Sequence, residues 1–326
     1  MQDPYNIFQK LKSTSDSTKG LISVKDIPEF DQHKIGISKS GFPVFFITTL
    51  DKDVGSLDIN LALIQVQFQK ECELYNEKGE VQKGVYSIVS LKTDSDVLVK
   101  YFIHTVFYLI KQLGTAPSFV QIKIELNNLV NLFRRLSKPS KNSIQGLWTE
   151  LLFIEQASDP EYLIKCWHLS KTDRYDFNNG VDKIEIKSTN KADRIHRFSN
   201  NQLVNVDNTL IIVGSTFTIE TGIGKCAKDL IDSISNKITD SSQMFRVNEV
   251  VADTMGDKID QIFDFYFDYQ FAINSIMYFN VNEIPSFISN MIPSEITNLK
   301  FDCNLTNVKV IEEDFINSEL LKAMLK

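Results

Sequence analysis

The sequence contains few cysteines and no long apolar run. Its four cysteines lie far apart without paired spacing, which argues against a disulfide framework and against a zinc site. No stretch approaches the roughly 18 apolar residues needed to span a bilayer. The first residues also lack the basic stretch followed by an apolar one that is typical of a signal peptide. We therefore expect a soluble, cytoplasmic protein without a membrane partner.

Proline and glycine are also sparse, with 8 and 13 among 326 residues, whereas 43% of the residues are hydrophobic. This composition excludes collagen, a disordered tail and a low-complexity linker. The length is sufficient for two domains or for one enlarged domain.

An excess of positive charge is absent as well, because the net charge is -7 at pH 7. The acidity lies in the C-terminal quarter: residues 245–326 contain 13 acidic and 6 basic residues, and the rest of the chain contains 29 of each. This balance disfavours a protein that coats nucleic acid non-specifically. It is compatible with an enzyme that contacts DNA locally.

Hydrophobic patterning divides the chain into three regions. Residues 1–136 are predicted to be β-rich at first and then to form two helices, over 96–113 and 122–136. Residues 137–142 combine serine and lysine with Pro139 and form the predicted boundary to a central region, 137–244. Residues 245–326 alternate acidic and aromatic residues and form a predicted α+β region.

The central region alternates predicted helices and strands. Ser143 is a predicted cap of a helix that carries Glu150. Residues 162–169 are predicted to be a strand. Asp176, the turn that follows it and residues 181–187 have the pattern of a β-hairpin. A buried strand over 209–217 and a helix over 226–238 complete the region.

Glu185 and Lys187 are the most informative pair in the hairpin. Because alternate side chains of a strand point to the same face, these two share one face while Ile184 and Ile186 share the other. Mg²⁺ needs only one or two carboxylates in a protein site, and a nearby ammonium group positions or helps deprotonate water and offsets phosphate charge. With Asp176, the pattern indicates divalent-metal cleavage of phosphodiester bonds. Taken alone, Glu-x-Lys on a strand is more commonly a solvated ion pair.

In this order, these motifs resemble the PD-(D/E)XK nuclease superfamily, the fold of restriction endonucleases and Holliday-junction resolvases. More narrowly, the sequence resembles the bacterial PD-(D/E)XK motif proteins of restriction and phage-defence loci. The resemblance is carried by residues 146–151, 176–177, 184–189, 194–199 and 202–203.

The resemblance implies an α/β fold with a restriction-endonuclease-like core, in which helices flank a mixed β-sheet. It implies Asp176 and Glu185 as ligands of Mg²⁺, with Mn²⁺ as a substitute. Lys187 would lie beside the nucleophilic water, and Glu150 would be an auxiliary acidic residue. The expected activity is Mg²⁺-dependent DNA endonuclease, of restriction or phage-defence type.

The spacing within the hairpin leaves one assignment open. A two-residue turn at Asn178 and Asn179 would leave Asp176 four residues along from Glu185, or about 13 Å away. Either the hairpin is looser or bulged, or Asp173 takes the role of metal ligand, and we prefer Asp176. The four histidines have no spacing typical of metal ligands.

A basic cluster follows the predicted catalytic strand. Arg194, His196 and Arg197 are predicted to contact the DNA backbone, and Gln202 is predicted to add a polar contact to phosphate. The alternative is a solvated loop.

Two other functions stay open. The core could keep the nuclease fold without activity, as a scaffold or regulatory subunit of a defence complex, because an acidic and aromatic C-terminal surface suits a protein partner better than DNA. The nuclease could also act only when a partner ATPase or DNA-recognition subunit delivers the substrate. We therefore expect protein partners from a restriction or defence system, and a homodimer if both strands are cut.

Overall fold

The computed structural model describes residues 4–14, 22–38, 40–49, 51, 56–76, 80–136, 143–168, 173–204, 209–287, 292–312 and 318–325. The chain divides into two units, Met1–Pro139 with Met244–Asp260, and Ser140–Gln243 with Gln261–Lys326. This division differs from the three predicted regions, because the chain after residue 244 is shared between the two units. The predicted boundary at 137–142 lies outside the described residues. No helix within the described ranges is long and apolar enough to cross a membrane.

The first unit contains an antiparallel sheet and helices. Its strands, in chain order, are β1 (Val24–Ile27), β2 (Phe30–Ile37), β3 (Pro43–Thr48), β4 (Ile59–Asn60), β5 (Ile64–Tyr75) and β6 (Val81–Leu91). The order across the sheet is β1-β2-β3-β6-β5-β4. The helices are α1 (Pro4–Thr14), α2 (Asp96–Leu113) and α3 (Phe119–Leu136). The β-rich character predicted for the N-terminal region is confirmed.

Helix α2 has the bounds that its apolar spacing predicts. Ser95 precedes it, and its side chain accepts a hydrogen bond from the backbone N–H of Leu98. The buried ring of Phe102 lies 5.8 Å from that of Phe45 on β3 and 5.7 Å from that of Phe133 on α3. These edge-to-face contacts join both long helices to the sheet in one core.

The second unit mixes short strands with helices. In chain order its elements begin with α4 (Ile144–Gln156), α5 (Pro160–Cys166), β7 (Phe177–Asn178), β8 (Asp182–Thr189), β9 (Ile195–Ser199), α6 (Asn200–Leu203), β10 (Leu210–Phe217), β11 (Glu220–Thr221) and α7 (Ala227–Lys237). The unit boundary after residue 243 falls within α8 (Ser241–Met255). The later elements are α9 (Gln261–Asp264), β12 (Tyr266–Phe267), α10 (Tyr269–Asn274), β13 (Met277–Asn280), β14 (Lys300–Asn304) and α11 (Glu319–Met324).

A four-stranded mixed sheet forms the centre of the second unit, with the order β13-β10-β8-β7. Strands β8 and β10 are parallel, with Glu185 opposite Val213 and Lys187 opposite Ser215. The pairs β7–β8 and β10–β13 are antiparallel. The predicted α/β core, in which helices flank a mixed sheet, is confirmed.

Helix α4 packs closely on one face of this sheet. It begins at Ser143, whose side chain accepts a hydrogen bond from the backbone N–H of Gly146 at 3.2 Å. A side chain at Gly214 on β10 would lie 2.9 Å from the ring of Phe153 and 2.8 Å from Ile186. Glycine at this position therefore lets the helix approach the strands, so that Glu150 on α4 is held near β8.

The predicted strand over residues 162–169 is wrong, because Pro160–Cys166 form helix α5. The side chain of Asp159 accepts a hydrogen bond from the backbone N–H of Tyr162 at 3.0 Å, and Pro160 occupies the first turn. The chain becomes extended again at Trp167, which forms an isolated bridge with Phe177.

Candidate active site

The β7–β8 hairpin brings Asp176 close to the Glu-x-Lys strand. Phe177 lies opposite Ile184, so the hairpin is looser than a two-residue turn. The side chain of Asn179 closes its loop by accepting hydrogen bonds from the backbone N–H groups of Val181 and Asp182, at 2.9 and 2.7 Å. This register, continued by one pair, brings Asp176 opposite Glu185. The separation of about 13 Å that a two-residue turn would place between them therefore does not occur. Asp176 Oδ2 instead accepts a hydrogen bond from the backbone N–H of Ile186 at 2.6 Å.

Three carboxylates and one ammonium group meet beside the middle of β8. Glu150 comes from α4, Asp176 precedes β7, and Glu185 and Lys187 lie on β8. All are largely buried, and Lys187 forms an ion pair with Glu185 Oε1. The structure thus brings together the four residues that the resemblance implies. Neither Asp173, the alternative to Asp176, nor Glu185 belongs to the group of possible ligands within 4.8 Å of one another that Asp176 forms with its neighbours, although the charge of Glu185 raises the pKa of Asp176.

His168 is a further member of this site. Ligand atoms of Glu150, His168 and Asp176 all lie within 4.8 Å of one another. The imidazole Nε2 is 2.9 Å from Glu150 Oε2 and 3.8 Å from Asp176 Oδ1. The backbone N–H of His168 also donates to the carbonyl of Asp176 at 2.9 Å, which ties the residue to the hairpin. Sequence reasoning missed His168, because this proximity leaves no characteristic spacing along the chain.

Trp167 fixes the carboxylate of Glu150. Its buried indole Nε1 donates to Glu150 Oε2 at 2.7 Å, the same oxygen that His168 contacts. The oxygen is therefore shared by two ring nitrogens from consecutive residues. This arrangement orients Glu150 toward Asp176.

The two oxygens of Glu185 have different surroundings. Oε1 contacts Lys187 and accepts a hydrogen bond from Gln202 Nε2 at 2.6 Å. Oε2 is buried and has no hydrogen-bond partner within the described ranges. A buried carboxylate oxygen without a donor is costly, so it is a natural ligand for a cation.

The electrostatics of the site disfavour several negative charges without a cation. Burial raises the pKa of Asp176 well above its ordinary value, and the charges of Glu185 and Glu150 raise it further, against the effect of Lys187. Burial also raises the pKa of Glu185, although Lys187 acts in the opposite direction. For Lys187, burial favours a lower pKa, but attraction to Glu185, Asp176 and Glu150 outweighs it and the pKa is raised.

These residues fit a divalent cation. The donor set contains carboxylate oxygens, which Mg²⁺ and Mn²⁺ prefer, and one imidazole nitrogen. The buried oxygen of Glu185, which has no hydrogen-bond partner among the described residues, and the raised pKa of Asp176 both indicate a deficit of positive charge. Asp176, Glu185, Glu150 and His168 are therefore the residues that could hold the ion.

Arg194 and His196 were predicted to contact DNA, but the structure places both in the interior. Arg194 donates to the carbonyl and hydroxyl oxygens of Ser215, at 3.1 and 2.9 Å, and to the carbonyl of Ser275. His196 Nε2 lies 2.7 Å from the Ser215 hydroxyl, and burial lowers its pKa to about 4, helped by Lys187 and Arg194. Both side chains are about 96–97% buried, so we correct the prediction: they are not available to a phosphate.

The other two predicted contacts differ from each other. Arg197 is exposed on β9. Gln202 is half-buried on α6 and contacts Glu185. The structure therefore leaves the side chain of Arg197 accessible to solvent and places Gln202 in the carboxylate site.

The mixed sheet flanked by helices defines a restriction-endonuclease-like core, as the resemblance implied. The family model described as "Putative PD-(D/E)XK family member, (DUF4420)" matches residues 6–306, and the chain belongs to this family. The match covers both units and confirms the superfamily suggested by the motifs. Searches of curated proteins and of solved structures gave no match.

Proposed function

We propose that this protein is a metal-dependent deoxyribonuclease that hydrolyses phosphodiester bonds as an endonuclease, with Mg²⁺ as its ion and Mn²⁺ as a substitute. The observation that carries the proposal is the site beside the middle of β8. There Glu150, Asp176 and Glu185 converge with Lys187, and one buried oxygen of Glu185 has no hydrogen-bond partner among the described residues. Family membership supports the same class of activity.

Asp176 and Glu185 would hold the ion, with Glu150 and His168 beside them. A bound ion supplies Lewis acidity and lowers the pKa of a coordinated water. Lys187 carries a raised pKa, so it stays protonated at neutral pH and acts as a donor and a positive charge. Its ammonium group would orient the attacking water and offset charge on the phosphate.

Substrate contact would come from the exposed basic side chain on the next strand along the chain. Arg197 lies on β9, directly before α6, whose Gln202 contacts Glu185. We propose that Arg197 contacts the DNA backbone, a contact that positions DNA without reading its sequence. A defence role, partner proteins, a homodimer and a cytoplasmic location stay predictions.

The test is cleavage of supercoiled plasmid with Mg²⁺ or Mn²⁺. Wild-type protein should nick or cut the plasmid, and Glu185→Gln or Lys187→Met should lower the rate about 100-fold or more. Glu220→Gln and Lys165→Met are matched controls, because both residues are exposed and remain outside the site. Circular dichroism would show that every variant folds.

Two results would contradict the proposal. If the folded wild-type protein cuts nothing with either ion, the alternative of a catalytically silent nuclease-fold scaffold is favoured. If Glu185→Gln and Lys187→Met cut as fast as the controls, the activity does not come from this site.

A further inference from the structure

The side-chain amide of Gln202 is fixed in one orientation. Its oxygen accepts a hydrogen bond from the backbone N–H of Ser199 at 3.0 Å. Its nitrogen donates to Glu185 Oε1 at 2.6 Å and lies 3.3 Å from the carbonyl of Arg174. Because an N–H group only donates and a carbonyl only accepts, the amide cannot turn over without losing these bonds. Gln202 therefore presents a donor to Glu185.

This donor makes the two oxygens of Glu185 unequal. Gln202 and Lys187 both act on Oε1, so that oxygen has two positively polarised partners. Oε2 is left buried and without a partner in the described part of the chain. A carboxylate held in this way can offer only Oε2 to a cation without breaking a charge-assisted hydrogen bond.

We propose that Gln202 is a positioning residue of the metal site, which directs Glu185 to bind the ion through Oε2 alone. This inference rests on the proposed function, because it needs a metal ion at the carboxylates. It also gives Gln202 a role other than the predicted contact with DNA. Groups that hold a metal ligand by hydrogen bonds commonly change metal affinity 10–100-fold when they are removed.

A simpler role for Gln202 is to cap helix α6 through its bond to Ser199. The two roles can be separated at Ser199, the N-cap residue, whose side chain accepts a hydrogen bond from the backbone N–H of Gln202 in the same capping box. Ser199→Ala weakens the cap and keeps the amide of Gln202 beside Glu185, whereas Gln202→Met loses both the cap and the donor. Asn201→Ala is the control, because Asn201 is the exposed neighbour on the same helix.

The experiment measures Mn²⁺ binding to the full-length protein without DNA, from the free-ion signal in electron paramagnetic resonance. Gln202→Met should weaken Mn²⁺ binding about 10–100-fold, whereas Ser199→Ala should bind nearly like the wild type. Asn201→Ala should bind like the wild type. In plasmid cleavage, the Mn²⁺ concentration for half-maximal rate should rise by the same factor in Gln202→Met.

The outcomes distinguish this inference from the proposed function. If Ser199→Ala weakens Mn²⁺ binding as much as Gln202→Met does, or if Gln202→Met binds as tightly as the wild type, the donor of Gln202 has no role at the metal site and the inference is overturned. Weaker binding in Gln202→Met alone supports it, even if the wild-type protein cuts no DNA, a result that would contradict the nuclease proposal alone. Wild-type protein that binds no Mn²⁺ overturns both.

Discussion

Asp176→Asn should stabilise the metal-free protein, although Asp176 is buried. Ligand atoms of Asp176 and Glu150 lie within 4.8 Å, and two full charges at that distance repel by about 3 kcal/mol at an effective dielectric constant of about 20. Lys187 offsets part of this repulsion. Asparagine keeps an oxygen that can accept the hydrogen bond from Ile186. We therefore expect a gain of about 1–3 kcal/mol, or several degrees in melting temperature.

The size of this effect depends on pH, and its sign depends on whether metal is bound. Because the pKa of Asp176 is raised on folding, its ionisation costs stability as the pH rises, and protonation removes the cost as the pH falls. The advantage of Asp176→Asn should therefore be larger at pH 8 than at pH 5. Mn²⁺ should make the wild type more stable than the variant. An ion at 100 times its dissociation constant stabilises the wild-type protein by about 2.7 kcal/mol, whereas the variant has lost a ligand.

The assay is thermal unfolding at pH 5 and pH 8, with a chelator or with Mn²⁺. Asp193→Asn is the matched control, because Asp193 is exposed and lies outside the site. It should leave the melting temperature and its response to Mn²⁺ unchanged. If Asp176→Asn lowers the melting temperature equally at both pH values and responds to Mn²⁺ like the wild type, Asp176 is a structural residue and our reasoning is refuted.

Two further predictions concern Glu155 and His168. Burial alone would raise the pKa of Glu155, but hydrogen bonds from Ser233, Tyr269 and Lys237 lower it to about 2. The lowered pKa contributes about 3 kcal/mol to the free energy of unfolding above pH 4.5, and roughly 1 kcal/mol of this is lost by pH 3.5. In urea denaturation, Glu155→Gln should be less stable than the wild type at pH 7, and the difference in stability should be smaller at pH 3.5. An equal difference at both pH values would show that the stabilisation does not come from the lowered pKa of Glu155. If His168 binds the ion, pulsed electron paramagnetic resonance of bound Mn²⁺ should show coupling to an imidazole nitrogen, and His168→Gln should remove this coupling. The same coupling in the wild type and in His168→Gln would exclude His168 as a ligand.

Local patterns predicted those elements whose signals lie within one segment. Helix α2 has the predicted bounds because its apolar spacing and the cap at Ser95 agree. Helix α5 was mistaken for a strand because its apolar and aromatic residues suggested one. The competing signal was present in the sequence, since Asp159 followed by Pro160 is typical of a helix start.

Long-range pairing accounts for the error at Arg194 and His196. A basic cluster directly after a strand suggests a solvent-exposed segment. In the structure, β9 pairs with β14, in which Cys303 lies opposite His196. That partner comes from about 100 residues downstream, and no local pattern indicates that it pairs with β9.

The candidate site could be predicted only in part for the same reason. Strand alternation placed Glu185 and Lys187 on one face, because this depends on neighbouring residues alone. The contacts of His168 and Gln202 depend on how separate segments meet, which no spacing along the chain reveals. The register of the β7–β8 hairpin likewise depends on the loop closed by Asn179.

The most direct test of the account is a crystal structure of the protein soaked with Mn²⁺, with the ion located by anomalous diffraction. The account predicts an ion bound by Asp176 and by Oε2 of Glu185, at metal–oxygen distances of about 2.0–2.3 Å. An ion bound elsewhere, or Asp176 and Glu185 left without one at saturating Mn²⁺, would contradict the central claim.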